Sequence, residues 1–351
     1  MNAALRRIGS PLGRSSLLRH LLIALVAAGL LLLLTEHLGE YRNSQVATVA
    51  YEFCAIAGLT VLTGLSGQIS LGNGAFMFVG AYTVALLLEH HPHTDNSELV
   101  LVMLAAIGVA AVIGGLVGVA AARLRGPYLA GVTLALALGL PELPKYQHLE
   151  GPLGGHTGLV VNAPLAPHDI NFSRWQAWIC CLAAVLTWLL LQNLISSRVG
   201  RAFRAVRDDE VAASLSGMSV ARIQVLAFVV SAASAGLAGG LLALIFGQVG
   251  PDSFGLQISL FLLAAAVFGG LGSLAGAAYG AVLITFLPNW AMDVANAVSL
   301  PAKVSNNLQI FLYGLVLVVA MLVFPLGLQG LFRRWWFGAR ARLGARNALA
   351  R

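Results

Sequence analysis

Charge, lysine and cysteine are all scarce in this chain. Only 10% of the 351 residues are Asp, Glu, Lys or Arg, whereas 58% are hydrophobic. Neither of the two lysines, Lys145 and Lys303, ends a glycine-rich loop, so the chain lacks a phosphate-binding loop. Glu52 is the main ionisable residue inside an apolar run, and we place it toward the outer, interfacial end. Proton relays and voltage sensors need more such residues inside the membrane, so this scarcity argues against both.

The chain also lacks motifs for enzymatic chemistry or metal binding. Cys54, Cys180 and Cys181 lie in apolar runs, which is typical of small core residues rather than of a disulfide framework. The histidine-rich run at 90–93 offers a metal site as the alternative to a solvated loop, and we favour the loop because no thiolate accompanies it. No nucleophile elbow or other hydrolase motif occurs, so we expect no catalytic residue and no metal.

Apolar runs of membrane-spanning length recur along the whole chain and predict an all-α, polytopic integral membrane protein. We expect about ten transmembrane helices, interrupted by broken, Gly-rich segments, with both termini on the cytoplasmic side. Under this topology all but four of the 21 Lys and Arg residues are cytoplasmic, as the positive-inside rule requires. The predicted spans are 18–35, 47–64, 74–89, 99–122, 127–143, 175–195, 223–246, 257–269, 275–290 and 307–324.

This topology divides the chain into one membrane domain and two tails. Residues 1–20 form a cytoplasmic tail, residues 21–331 form the transmembrane domain, and residues 332–351 form a basic cytoplasmic tail on the anionic inner leaflet. A signal peptide is the alternative for the N-terminus, but the expected small-residue cleavage site is missing, so we favour an uncleaved first span. The basic residues lie beside apolar runs, so the net charge of +7 does not indicate nucleic-acid binding.

The central polar segment, residues 196–222, separates two apolar runs. Arginines recur every three residues from Arg198 to Arg207, and three acidic residues follow. Because that order opposes the dipole of one continuous helix, we predict two short helices. Asp208 or Asp209 would cap the second, and Gly217 would end it. Apolar residues among the charges favour a docking element over a solvated basic loop.

Two apolar stretches, residues 64–82 and 268–280, are interrupted by glycine and small polar residues. Irregular backbone at membrane depth is tolerated only where protein buries it or a wet cavity borders it, and in transporters it often marks the substrate path. Close helix packing and a tight cytoplasmic turn are the alternative, because Gly114-xxx-Gly118, Gly236-xxx-Gly240 and Gly276-xxx-Gly280 have the spacing of helix contacts.

Five segments in order resemble the membrane permease subunit of ABC importers for branched-chain amino acids. The first two are VLTGLSGQISLGNGAFMFVGAYTVALL (61–87) and GPYLAGVTLALALG (126–139). The longest, residues 200–241, is similar to the family's cytoplasmic coupling loop and the span after it. VFGGLGSLAGAAYGA (267–281) and FPLGLQGL (324–331) complete the set.

The resemblance implies an importer with two cytoplasmic ATPase subunits, a second and related permease, and a periplasmic binding protein. It implies a multi-pass protein of the bacterial inner membrane, in contact with membrane lipid, that binds no cofactor because ATP and Mg sit on the partner ATPase. The sequence departs here from the family's E-A-A-x-x-x-G pattern, because the glutamate is displaced by one position to Glu210. The implied ATPase-coupling residues are Arg201, Arg204, Arg207, Asp208, Asp209, Glu210, Ala212, Ala213 and Gly217.

We assign a second set of residues to the translocation pathway. They come from the two interrupted stretches and from the segment at 126–139, and they are Ser66, Gln68, Ser70, Asn73, Tyr128, Thr133, Gly269, Gly270, Gly272 and Ser273. The resulting hypothesis is an ATP-driven importer of branched-chain or related hydrophobic amino acids. Import of urea or short amides by the same machine, and an ATP-independent channel, are the alternatives.

Overall fold

The structure is a computed structural model that describes residues 16–90, 96–124, 127–164, 166–167, 170–297, 311, 314–315, 318 and 328–330. Several sequence predictions therefore lie outside the described residues. They concern most of the N-terminal tail, the histidines at 91 and 93, most of the span at 307–324 and the C-terminal tail.

The described chain is almost entirely helical, as the apolar runs predict. Its α-helices are α1 (Ser16–His37), α2 (Glu40–Leu59), α3 (Asn73–His90), α4 (Asn96–Ala121), α5 (Pro127–Gly139), α6 (Glu150–Leu153), α7 (Phe172–Ser196), α8 (Arg198–Asp208), α9 (Glu210–Leu215), α10 (Val220–Phe246), α11 (Leu256–Gly269) and α12 (Leu274–Ala297). A π-helix, Thr60–Leu65, continues α2, and 3-10 helices occupy Leu140–Lys145 and Pro251–Phe254. Two short strands, β1 (Leu159–Val160) and β2 (Gln248–Val249), pair antiparallel.

Six helical segments of the described residues are long and apolar enough to cross a membrane. They are Leu17–His37, Glu40–Leu65, Glu98–Ala121, Phe172–Ser196, Val220–Phe246 and Pro251–Gly269. The helices α3 and α12 contain shorter apolar segments, and α5 has 13 residues. A multi-pass helical membrane protein follows from these lengths, whereas ten spans and an N-in, C-in orientation remain predictions.

Helix α10 forms the centre of the bundle and packs against α2, α3 and α4. Glycines bring the backbones together: a Cβ on Gly80 of α3 would overlap the Gly236 carbonyl oxygen of α10. A Cβ on Gly114 of α4 would likewise overlap the side chain of Ala232. The predicted role of the small-xxx-small glycines in helix packing is thus confirmed for these helices.

The start of α1 and the central polar segment lie at the same end of the bundle. His20 Nδ1 near the start of α1 is 2.7 Å from Asn193 Oδ1, close to the end of α7. At the opposite end of both helices, Trp178 Nε1 donates to Thr35 Oγ1 over 2.9 Å. We call the first end the loop end and the second the far end.

The far end carries a small ordered platform, built from the residues between α5 and α7 and those between α10 and α11. Strands β1 and β2 join the two connections, and Lys145 Nζ bridges them by contacting Asp252 Oδ1 at 2.8 Å and Glu142 Oε1 at 2.9 Å. The hydrogen bond to Asp252, followed by that to Glu142, raises the pKa of Lys145. Contacts between the two connections therefore order the described part of residues 141–174.

Replacing Gly239 by Ala tests the close packing of α10. A Cβ at this position would overlap the Met77 carbonyl oxygen of α3, and backbone cannot move aside as a flexible side chain can. We expect Gly239→Ala to lower the free energy of unfolding in mixed micelles by about 1–3 kcal/mol. The matched control is Gly108→Ala on α4, where no atom lies within 4 Å of the added Cβ. Equal stability of the two variants would contradict the packing.

Candidate functional site

The central polar segment folds as the two short helices that its charge order predicts. The Asp209 carboxylate accepts hydrogen bonds from the backbone nitrogens of Val211, at 2.8 Å, and Ala212, at 3.0 Å. It therefore caps α9, and Gly217 follows that helix with a φ of +81°, a conformation that glycine adopts without strain. Asp209, rather than Asp208, is the capping residue.

The α8–α9 pair has one face buried in the bundle and one face exposed. Phe203 and Val206 on α8 and Ala213 on α9 are buried, so these apolar residues among the charges face the bundle. On the outer side of α9, Val211 is 66% exposed and Leu215 is 84% exposed. Exposed apolar side chains on an otherwise capped and fixed helix are typical of a surface that binds a partner.

Two charged side chains of the pair point back toward the bundle. Glu210 Oε1 accepts a hydrogen bond of 2.9 Å from Gln224 Nε2 on α10. Arg207 Nη1 donates to the Gly64 carbonyl oxygen over 2.9 Å, near the end of the π-helix that extends α2. The predicted coupling residues therefore include some that face outward and some that contact the membrane helices.

The first interrupted stretch carries the chain from the loop end back into the interior of the bundle. After the π-helix, residues 66–72 have no regular structure, and α3 begins at Asn73. Asn73 is fully buried, and its Oδ1 accepts a hydrogen bond of 3.1 Å from Ser231 Oγ, near the middle of α10. Because α3 starts at the depth of Ser231, it is a discontinuous helix with its N-terminus inside the bundle.

Helix α11 also begins in the interior, beside the start of α3. Gly74 N donates to Ser259 Oγ in the first turn of α11 over 2.9 Å. Thr133 Oγ1 of α5 accepts a hydrogen bond of 3.1 Å from Leu71 N, just before α3. The N-terminal ends of two interior helices thus meet at one point, and both carry the positive end of a helix dipole.

Several buried oxygens in the π-helix and in the irregular stretch before α3 have no hydrogen-bond partner among the described residues. They are the side-chain oxygens of Thr60, Thr63, Ser66 and Gln68, all of them at most 8% exposed. Thr60 and Thr63 were not among the predicted pathway residues. The sequence signal was available, because hydroxyls inside an apolar run directly precede the Gly-rich stretch. Buried oxygens without a partner are suited to a passing polar solute or to water.

The second interrupted stretch is a tight turn between α11 and α12. Gly270 and Gly272 have φ of 117° and 90°, and a Cβ on Gly269 would overlap the Gly276 carbonyl oxygen. The chain does break and turn back here, whereas the position of the turn at membrane depth stays a prediction. The packing alternative holds, because two helices this close need glycine on both sides.

The two interrupted stretches touch each other through their backbones. A Cβ on Gly64 would overlap Gly272 N and would lie 2.8 Å from Gly272 Cα. Since Gly64 also accepts the hydrogen bond from Arg207, the α8–α9 pair and both stretches meet at one place. Gly64 was within the predicted stretch but not among the predicted site residues.

Glu52 lies nearer the middle of its helix than the sequence predicts. The span was expected to begin at 47, but α2 begins at Glu40 and its helical run continues to Leu65, which places Glu52 near the middle. The Thr285 hydroxyl of α12 donates to Glu52 Oε2 over 2.6 Å. The helix is therefore longer than the predicted span, because the polar residues at 40–45 belong to it and not to a loop, and the interfacial position of Glu52 stays a prediction.

The structure brings most, but not all, of the predicted pathway residues together. Ser66, Gln68, Ser70, Asn73 and Thr133 are buried around the start of α3. Tyr128 lies apart, because its side chain is 75% exposed on α5. The residues of the second stretch, Gly269, Gly270, Gly272 and Ser273, lie in the turn at the loop end.

Comparisons with known proteins agree with this architecture. The model of a family described as "Branched-chain amino acid transport system / permease component" matches residues 42–321. The chain is 33% identical over 317 residues to the high-affinity branched-chain amino acid transport system permease protein LivM of Salmonella typhimurium, covering 82% of this chain and 70% of that protein. It is 28% identical over 304 residues to LivH of Escherichia coli, also a permease protein of that system, covering 84% of this chain and 95% of LivH.

Asp209→Ala tests the cap of α9. Loss of a capping carboxylate costs about 1 kcal/mol of helix stability, so the helix is expected to open more often. Hydrogen exchange of the Val211 and Ala212 amides should become faster, while exchange in α10 stays unchanged. Asp209→Asn keeps a capping oxygen and serves as the control. Unchanged exchange in Asp209→Ala would show that the side chain does not cap the helix.

Thr285→Val tests the contact between α2 and α12. The substitution keeps the shape of the side chain but removes the hydroxyl that donates to Glu52. We expect the free energy of unfolding in mixed micelles to fall by about 1 kcal/mol, with Thr285→Ser close to wild type. A valine variant as stable as the serine variant would mean that the hydrogen bond adds nothing.

Proposed function

Because the chain belongs to the permease family of branched-chain amino acid transport systems, we propose that it is the membrane-spanning subunit of an ATP-driven importer. Its cargo is a branched-chain or related hydrophobic amino acid. The chain acts as a permease and not as an enzyme, and a partner subunit hydrolyses ATP.

The α8–α9 pair is the observation that carries this proposal. A simple connection between α7 and α10 would need neither a capped second helix nor a buried apolar edge. The exposed side chains of Val211 and Leu215 provide an apolar contact for an ATPase, and the basic residues of α8 flank it. A channel that works without ATP would have no use for this surface.

The meeting point of α3 and α11 supports an amino acid as the cargo. Two helix N-termini point to the same interior region, where they favour a carboxylate, as in transporters with discontinuous helices. Nearer the loop end, the neutral side-chain oxygens of Ser66 and Gln68 offer further hydrogen-bond partners to a polar solute that follows the same stretch. A zwitterion needs no net charge on the protein, which fits the scarcity of ionisable residues in the spans. The same neutral groups suit urea or a short amide, which stays the alternative cargo.

The partners follow from the family. We propose two cytoplasmic ATPase subunits at the loop end, a second and related permease beside this chain, and a periplasmic binding protein at the far end. ATP and Mg then sit on the ATPase subunits. The protein lies in the bacterial inner membrane with the loop end in the cytoplasm, which is the orientation that the basic residues favour.

Leu215→Asp tests the docking surface directly. The side chain is 84% exposed, so the change should leave the bundle folded while it places a charge in an apolar contact. We expect the wild type, purified gently from its native membrane, to co-purify with an ATPase, and the variant to lose it. Val160→Asp on β1 is the matched control, since Val160 is also an exposed apolar residue but lies at the far end.

Two results would count against the proposal. A wild-type protein that never recovers an ATPase would contradict the importer. A Leu215→Asp variant that retains the ATPase as well as Val160→Asp does would move the docking surface away from α9.

A further inference from the structure

Arg207 is set apart from the other arginines of α8 by where its side chain goes. Its Nη1 atom donates to the Gly64 carbonyl oxygen, at the end of the helical run that begins with α2. Arg204, one turn earlier, donates to the Ile195 carbonyl oxygen at the end of α7, over 3.4 Å. Both arginines donate hydrogen bonds to carbonyl oxygens at helix ends, but only Arg207 contacts one of the two interrupted stretches.

The Gly64 carbonyl is a natural partner for a guanidinium group. It lies in the last turn of a helix, where carbonyl oxygens have no partner within the helix and carry the negative end of the dipole. A charge-assisted hydrogen bond to such an oxygen is stronger than one between neutral groups. Arg207 therefore holds the loop end of the most buried long helical segment of the described chain, Glu40–Leu65.

The neighbours of Arg207 fix its position. Asp208 Oδ1 accepts hydrogen bonds from Arg207 Nη2, at 2.9 Å, and Nε, at 3.1 Å, and so holds the guanidinium on one side. On the other side, Gly67 has a φ of +75°, and a Cβ there would lie 2.7 Å from Arg207 Cγ. The side chain thus runs between a carboxylate and a glycine that leaves room for its stem.

The contact at Gly64 reaches the second interrupted stretch as well. Gly64 and Gly272 are in backbone contact, so neither can move toward the other without displacing it. A shift of α8 that moves the guanidinium would move the end of α2 and the α11–α12 turn together. The start of α3 follows the same stretch only a few residues later.

We infer that Arg207 is a positioning residue that links the docking helices to the joint between Gly64 and Gly272, and that it transmits movement of an ATPase to the pathway. This inference rests on the proposed function. The role it assigns to Arg207 differs from that of the residues that bind the ATPase, because Arg207 acts through its contact with Gly64.

The test compares Arg207→Gln with Arg207→Lys in proteoliposomes that contain the chain, its co-purified partners and the binding protein. We expect Arg207→Gln to retain the ATPase subunits and to hydrolyse ATP, while the leucine taken up per ATP falls about tenfold. The lysine variant keeps a cation near the carbonyl and should recover part of the uptake. Arg123→Gln, an exposed arginine just after α4 and outside the central polar segment, is the matched control and should behave as wild type.

Gly67→Ala keeps the test decisive if Arg207→Gln does not reach the membrane. Its added Cβ would displace the stem of Arg207 without removing the charge, and alanine at a φ of +75° would also strain the backbone of the stretch, so the variant should uncouple hydrolysis from uptake. Combining Gly67→Ala with Arg207→Gln should add little to either change alone, because both act on one contact.

Each remaining outcome is informative. Loss of the ATPase from a folded Arg207→Gln variant would make Arg207 a docking residue and overturn the inference. Normal uptake per ATP in both Arg207→Gln and Gly67→Ala would overturn it too, while the importer itself would stand. A wild type without an ATPase would instead contradict the proposed function.

Discussion

Backbone groups at the ends of broken helices must find partners inside this bundle, because hydrocarbon offers none. The interior start of α3 depends on that constraint. Thr133 accepts from Leu71 N and Ser259 accepts from Gly74 N, so hydroxyls on α5 and α11 replace the partners that a continuous helix would supply. Arg207 does the same for the Gly64 carbonyl from outside the membrane helices. The helices that supply hydrogen-bond partners to the backbone of the interrupted stretch therefore also fix its position.

Glycine makes this arrangement sterically feasible. Helix α10 approaches α3 and α4 so closely that methyl groups at several positions would overlap backbone or side-chain atoms. Lipid tails are as apolar as the helix surfaces, so the hydrophobic effect does not drive the helices together. Close approach instead allows dispersion and short polar contacts to stabilise their packing. The same property at Gly64 and Gly272 joins two stretches that are far apart in sequence. Among the described residues, closely packed helices and a backbone contact between Gly64 and Gly272 near the loop end are the result.

Much of the fold could be predicted from the sequence because local patterns decide it. The apolar runs mark the helices, and the order of charge around Asp209 predicts a cap and two helices. Other features depend on tertiary contacts that no local pattern reveals. The second span is predicted to begin at 47, and only the structure shows that the polar residues at 40–45 extend the same helix. The sequence pattern around Gly270 and Gly272 is equally compatible with a broken helix and with a tight turn. The roles assigned to the coupling and pathway residues stay predictions.

The most direct measurement of the central claim is uptake of labelled leucine into proteoliposomes. The purified chain would be reconstituted alone, and then with the ATPase subunits, the second permease and the binding protein. We expect accumulation only in the complete system with ATP, and none in the presence of a non-hydrolysable analogue. Passage of leucine through the chain alone, without ATP, would contradict the account and would identify the protein as a channel.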